Sequence, residues 1–428
     1  MYSIGKSKFN FLDLFAGAGG LSEGFVQAGF NPLAHIEMDS SACFTLKTRM
    51  AYHWLKSENR LYIYNSYLNR EIDRDRLYNE IPQYILNSIM HETISNSSIK
   101  GIFNSIDSKI GGNKIDLIIG GPPCQAYSLV GRSRDKFKMK NDERNYLYKY
   151  YALFLEHYKP QYFVFENVIG LLSAKDNDGT LYFDKMRNLF EGKGYTTEYK
   201  ILSANNYGVL QNRKRVILIG RLGKENNFYP EFKKWTPQVK VSEVFKDLPQ
   251  INAGGGSVSP CYTKTYKQKS QWLYSAGIKD DALPVTWHQA RQNNEQDLEI
   301  YRMTVEKWNC EHKRLRYNDL PERLKTHKNN QSFLDRFKVV AADLPYSQTV
   351  VAHISKDGHY YIHPDIKQNR SITPREAARL QSFPDSYYFE SENGRPSRTD
   401  AYRQIGNAVP VLLAKKIADK MMEKMQNE

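Results

Sequence analysis

Four residues in this chain have the types and surroundings for covalent chemistry on an electrophilic carbon: Cys124, Glu166, Arg213 and Arg215. Cys124 sits in GGPPCQAYSLVGR, residues 120–132, directly after an apolar run that reads as a strand. Pro122 and Pro123 hold its approach extended. A thiol there could be packed in a core, half of a disulfide, a metal ligand or a nucleophile. The other cysteines are Cys43, Cys261 and Cys310, and no CxxC pair occurs. That spacing disfavours zinc, and four uneven cysteines do not make a disulfide framework. Position alone leaves core thiol and nucleophile level. A nucleophile also needs a group that activates its target and contacts that position it. Glu166 follows YFVF, and a carboxyl behind a buried strand is costly unless paired or protonated. Arg213 and Arg215 alternate at the start of RVILIG, so both can point to one face. The bland alternatives are a satisfied edge carboxylate and a solvated basic strand entry.

Elements that could position these residues are legible. FNFLDLF (9–15) reads as a buried strand, AGAGG as a tight turn, and LSEGFVQAG as a helix closed by Gly29. NPLAHIEMD is a second strand ending in acid. The order of strand, glycine turn, helix, strand and acid opens a doubly wound α/β sheet. Residues 50–100 read as helices inserted on the flank of the sheet. Further strands are expected at 114–121, 161–168, 195–204 and 215–221, with a helix over 145–158, and the α/β pattern stops near residue 222.

The glycine turn points to a ligand. Gly17, Gly19 and Gly20 follow the first strand, and Glu37 lies 20 positions beyond Gly17, where a carboxylate can hold ribose hydroxyls. No GK[ST] follows, which excludes a P-loop, and the spacing GxGGxxxG is not GxGxxG. A nucleoside cofactor without a pyrophosphate fits, such as the adenosine end of S-adenosylmethionine.

With 428 residues and 40% apolar content, two or three domains with sizeable cores are expected. No apolar run is long enough to cross a membrane, and the first residues do not read as a secretory signal. A cytoplasmic location is expected. The net charge of +14 favours a polyanionic partner. Beyond residue 223 the composition shifts. AGGGS (253–257) reads as a hinge, and lysines interleave with aromatics in CYTKTYKQKSQWLY (261–274). A second basic block is HKRLRYNDLPERLKTHK (312–328). Residues 223 to about 340 are expected to form a separate domain, partly β or irregular. TPREAARLQSF (373–383) reads as a helix with Thr373 as its cap, and a last helix starts near Pro410.

FLDLFAGAGGLSEGF, IEMD, GGPPCQAYS, DERNYLY, FENVIGLL, QNRKRVILIG, RSITPREAARLQSFPDSY and RQIGNAVP occur in this order along nearly the whole chain. The set resembles the DNA (cytosine-5) methyltransferases. That resemblance implies a Rossmann-like methyltransferase sheet over 1–222, with the 50–100 insertion. It also implies a smaller target-recognition domain over 223–394 and a segment, 395–428, returning to the catalytic domain. By resemblance, Cys124 attacks C6 of a flipped-out cytosine, so that C5 can accept a methyl group from S-adenosylmethionine, leaving S-adenosylhomocysteine. Glu166 bonds to cytosine N3 and the exocyclic amine, and Arg215, with Arg213, holds O2 and nearby phosphate. The cofactor positions carry over to Phe15, Gly17, Gly19, Gly20, Leu21, Glu37, Met38, Pro123, Leu147, Asn407 and Ala408, with Asp107 as candidate for the acid on the adenine amine. Gln125, Ser128, Arg132, Arg134 and Thr349 match DNA-contacting positions, and GRSRDKFKMK (131–140) holds five cations against one acid, suited to closing on phosphates. Arg375 and Glu376 match a packing motif, and Cys261 and Cys310 are incidental. The family uses no metal. The resemblance implies a monomer acting on double-stranded DNA, paired with a cognate restriction endonuclease and nucleoid-associated if prokaryotic. Rival readings are a tRNA cytosine-5 methyltransferase on the same fold and a catalytically silent DNA-binding regulator. The large basic region argues against the first, and the complete set Cys124, Glu166, Arg213 and Arg215 against the second.

Overall fold

The computed structural model describes residues 9–123, 146–260, 269–327 and 333–428. Its centre is a seven-stranded sheet made of β1 (Asn10–Leu14), β2 (Asn31–Glu37), β3 (Ile89–His91), β4 (Leu117–Gly120), β5 (Tyr162–Asn167), β6 (Tyr195–Ser203) and β7 (Lys214–Leu222). The strand order is β3-β2-β1-β4-β5-β7-β6. All neighbours are parallel except β7, which runs antiparallel to both β5 and β6. The chain leaves β1 towards one edge and β4 towards the other. A doubly wound sheet opens its ligand crevice at such a reversal.

Both faces of the sheet are covered, which is why the inner strands read as nearly continuous apolar runs. Leu12, Leu14, Ile118, Phe163 and Phe165 point to one face. There they meet α6 (Ile99–Ile110), α7 (Leu147–Tyr158) and α8 (Tyr182–Gly192). Phe11, Leu117, Ile119, Val164, Ile217 and Ile219 point to the other. That face is closed by α1 (Gly20–Gln27) and by the helix Val411–Gln426, whose Leu413, Ile417 and Met421 are buried as their spacing predicts.

Two expectations need correction. Residues 50–100 are not only inserted helices. α2 (Ser40–Ser57) runs into them, and α3 (Leu61–Leu68), α4 (Arg74–Asn79) and α5 (Gln83–Leu86) follow, but Ile89–His91 is a strand pairing with β2. Three residues are too few to show a period. Second, the longest regular element between 223 and 340 is a helix, Glu295–Glu311, capped by the Asn294 side chain. Its buried positions, Ile300, Tyr301, Thr304 and Val305, are diluted among charges, which hides the helical stripe. The strands there, Gly256–Ser257 and His288–Gln289, are two residues each.

α2–α5 share one core with residues from the second half, among them Trp272, Trp287, Ile372, Phe383, Tyr387 and Phe389. Charged groups are packed within this region. On the helix Pro374–Leu380, Glu376 takes two bonds from Arg370, at 2.7 and 2.8 Å, and one from the Thr373 amide at 2.7 Å. Arg375 bonds to Thr286, Pro384 and Tyr387 carbonyls. These contacts fit a packing role for Arg375 and Glu376. Burial opposes ionisation of Glu376, yet Arg370 and the nearby His363 hold its carboxyl well below the usual range. A depressed folded value means that this stabilisation is present above the ordinary glutamate range and lost as pH falls through the folded value. Glu376→Gln leaves Arg370 buried without its counter-charge. The expected cost is about 3–5 kcal/mol in urea unfolding at neutral pH, shrinking as the pH is lowered.

Candidate active site

A cavity of about 500 Å³ opens at the carboxyl ends of β1, β2, β4 and β5. In register, Leu14 of β1 lies beside Gly120 of β4, and Gly120 beside Phe165 of β5. The segments that follow, Phe15–Gly20, Gly121–Pro123 and Glu166–Val168, therefore emerge side by side.

Phe15 has φ of 59°, strained for an aromatic residue, and Gly17 and Gly19 also have positive φ. The turn is tied down by Ala16 N to Ile36 O at 3.1 Å and Gly19 N to Ala16 O at 3.0 Å. Glu37 closes it, since its carboxylate accepts from the amides of Gly17 (2.7 Å), Asp39 (2.8 Å) and Met38 (2.9 Å). Burial nevertheless raises the Glu37 pKa against those three donors.

The wall contains Phe15, Gly17, Gly20, Leu21, Glu37, Met38, Pro123, Leu147, Asn407 and Ala408, as expected for a single site. Gly19 lies behind it, against Leu46 and Tyr387. Asp107 is a correction. It lies on α6 near the exposed His157, 3.1 Å from that ring, and is absent from the wall. Glu92, Thr93 and Ile94, just after β3, line that side of the cavity instead, and Glu92 N bonds to Glu37 O. They escaped the sequence reading because β3 did.

Two other wall residues carried a weak signal. Asp13 is buried in β1, and among the described residues its Oδ2 has no hydrogen-bond partner. Burial, then Glu37, pushes its carboxyl well above the usual range. Arg403 stands at the rim, paired with Asp39 at 2.9 Å. An acid inside a strand pattern was the available clue to Asp13.

At the other end of the cavity, Glu166 and Arg215 form an ion pair with Nε–Oε1 at 2.6 Å, both side chains 13% exposed. β7 runs antiparallel to β5 and so brings its first residues to the carboxyl end of β5. Gly121 makes the fit possible, since a Cβ there would lie 2.6 Å from Glu166 Oε2. Asn167 donates to the Pro122 carbonyl at 3.2 Å, joining the two strand ends. A carboxylate and a guanidinium thus stand beside the strand end Gly121–Pro123. The residue that follows is the expected nucleophile. That residue, Cys124, lies outside the described residues, as do Gln125, Ser128, Arg132, Arg134 and Cys261.

Arg213 does not join Arg215. It is buried, donating from Nη1 to Val350 O at 2.7 Å and from Nη2 to Gly406 O at 3.1 Å. This corrects its expected place on the substrate: the loop turns the side chain inward, where two carbonyls accept from its Nη1 and Nη2. Thr349 donates to the Asn212 carbonyl and lines a separate surface groove of about 320 Å³ with Trp308, Lys313, Arg314, Lys338 and Tyr346.

The wall suits a nucleoside-sized cation. It supplies a carboxylate at the end of β2, a buried carboxyl from Asp13 whose Oδ2 has no hydrogen-bond partner among the described residues, and apolar sides from Phe15, Leu21, Ile94 and Leu147. Among the described residues, no helix is long and apolar enough to cross a membrane.

The family model for C-5 cytosine-specific DNA methylases matches residues 9–61 and 64–423. The chain is 42% identical over 442 residues to the type II methyltransferase M.Bpa9945I of Bacillus paralicheniformis, covering 95% of this chain and 97% of that one. It is 30% identical to M.DdeI of Desulfomicrobium norvegicum, covering 98% and 89%. Among solved structures it is similar to an E. coli prophage protein described as a candidate DNA modification methyltransferase, with TM-score 0.62, 22% identity and coverage of 98% and 100%. It is also similar to the methyltransferase EhMeth of Entamoeba histolytica, with TM-score 0.53, 14% identity and 99% of each chain.

The two arginines are expected to separate on substitution. Arg213→Ala removes a buried donor from two carbonyls and should cost about 2–4 kcal/mol in denaturant unfolding. Arg215→Ala should leave stability within about 1 kcal/mol but abolish methyl transfer by folded protein. Equal destabilisation by both would show that Arg213 is no more structural than Arg215.

Proposed function

The chain belongs to the C-5 cytosine-specific DNA methylases and is a DNA cytosine-5 methyltransferase; on that premise we propose how its own residues perform the reaction. S-adenosylmethionine, when bound, supplies an electrophilic methyl group on a sulfonium. The cavity is its site. Glu37 accepts from the ribose hydroxyls, Asp13 and the turn carbonyls receive the ammonium group, and Glu92 lies where the adenine edge would reach.

Cytosine C5 is too weak a nucleophile to accept a methyl group directly. Addition of the Cys124 thiolate to C6 forms an S–C bond and makes C5 an enamine carbon. Glu166 bonds to N3 and the exocyclic amine and provides the proton that offsets charge on the ring, while Arg215 holds the carboxyl in place and reaches O2. After transfer the C5 proton leaves to a base, the C–S bond breaks, and Cys124 is released as thiolate. No residue is assigned as that base.

The observation that carries this is the Glu166–Arg215 pair at the strand end beside Gly121–Pro123, in the same cavity as the glycine turn. A base stacked in duplex DNA cannot reach that depth, so the target is flipped out, at a cost of about a few kcal/mol. Residues 223–394 are assigned to target recognition, with Thr349 and its groove on the DNA side, and the loop bearing Arg132 and Arg134 to the phosphates. Residues 1–222 and 395–428 form the catalytic part. The type II names of the relatives fit a modification enzyme paired with a restriction endonuclease; we propose that it acts as a cytoplasmic monomer.

Cys124→Ser should abolish methyl transfer while DNA binding stays within about threefold; retained turnover would remove the nucleophile. Duplex DNA with 5-fluorocytosine at the target should trap a denaturation-resistant complex with the wild-type chain only, because C5 then has no proton to lose. DNA affinity should fall by about 10³-fold or more between 50 and 200 mM salt, and a flat response would contradict a phosphate clamp.

A further inference from the structure

The segment PDSYYFE (384–390) and α2–α5 carry no predicted site residue, yet they enclose the back of the cofactor turn. Tyr387 is fully buried, and its hydroxyl donates to the carbonyl of Ala18, 369 residues away in sequence. Ala18 lines the cavity. The amide of the same peptide, Gly19 N, donates to Ala16 O. Both polar groups of the Ala18–Gly19 peptide are therefore engaged, which fixes its plane. Gly19 has φ of 81°, and a Cβ there would lie 2.9 Å from the Tyr387 hydroxyl and 2.7 Å from Leu46 Cδ2. Glycine is required there by backbone angle and by the close approach of the tyrosine.

Tyr387 is itself held from three sides. Its carbonyl accepts from Arg375 Nη2 at 2.7 Å, and its ring packs on Phe383 with centroids 4.8 Å apart. The Arg49 guanidinium of α2 lies 4.7 Å from the ring centroid. Arg49 donates to the preceding Ser386 at 3.1 Å and to Glu23 of α1 at 2.6 and 2.8 Å. Tyr64 of α3 donates to Ser386 O at 2.9 Å, Tyr67 bonds Glu390, and Arg74 of α4 bonds Ser391 O. The helices whose role was missing from the sequence thus grip the segment that carries Tyr387.

We infer that Tyr387 is a positioning residue for S-adenosylmethionine: its hydroxyl sets the Ala18–Gly19 peptide of the cofactor turn, and α2–α3, through Arg49 and Tyr64, hold it in register. The inference rests on the cofactor assignment of the cavity. Tyr387 touches no reacting atom, so its loss should weaken cofactor binding and spare the chemical step.

The test is calorimetric binding of S-adenosylhomocysteine to the full chain and to Tyr387→Phe and Tyr64→Phe, with steady-state kinetics alongside. Tyr387→Phe leaves the Ala18 carbonyl without its donor and should weaken binding about tenfold. The KM for S-adenosylmethionine should rise in parallel, while kcat at saturation and the KM for DNA stay within about twofold. Tyr64→Phe, at the support, should weaken binding about threefold in the same pattern, and it alone decides the matter if Tyr387→Phe does not fold. A general loss of structure would lower kcat through the active fraction and leave cofactor affinity unchanged. Affinity within twofold of wild type in the folded variants overturns the inference. If the wild-type chain fails to bind S-adenosylhomocysteine at all, the cofactor assignment falls, and the inference with it.

Discussion

Arg213 is the joint on which the architecture turns. A guanidinium cannot be deprotonated and cannot be left bare in an interior. Its fork reaches carbonyls from two distant segments, Val350 and Gly406. One lies beside Thr349, on the groove assigned to DNA; the other lies beside Asn407 and Ala408 of the cavity wall. Neighbouring bonds reinforce it, with Asn212 N to Ser347 O, Ser347 N to Leu210 O, and Val350 N to Gln211 Oε1. One buried charge thereby ties the strand that delivers Arg215 to the surface groove at Thr349 and to the helix Arg398–Asn407 beside the cavity.

The two carboxyls at the ends of β1 and β5 show how similar groups are given different work. Glu166 faces Arg215, with Nε–Oε1 at 2.6 Å. Asp13 lies on β1, with β4 between it and β5; among the described residues its Oδ2 has no hydrogen-bond partner, and burial, then Glu37, favours its neutral form.

Much of this was legible in the chain. β1, the glycine turn and Glu37 carry their own signals, since glycines after an apolar run and an acid 20 positions on satisfy a local geometric demand. Glu166 and Arg215 were legible as strand-end residues, while Cys124 lies outside the described residues. The illegible parts are those fixed by distant packing. β3 is three residues long and exists because β2 offers it an edge. Asp107 was a misplaced substitute for residues after that unseen strand. Arg213 and Arg215 share a face by alternation, but the inward turn of Arg213 depends on carbonyls 137 and 193 positions away. Tyr387 looked like one aromatic among many, because nothing local marks a hydroxyl whose acceptor is across the chain.

The closure of the sheet by the helix Val411–Gln426 has a consequence for synthesis. Leu21 and Phe25 of α1 find Leu413, Ile417 and Met421 only when nearly the whole chain has been made. Until then one face of the nascent sheet, with the apolar side chains of β1 and β4, is exposed on the ribosome. Contacts of such long sequence separation form late and leave partly folded chains prone to association.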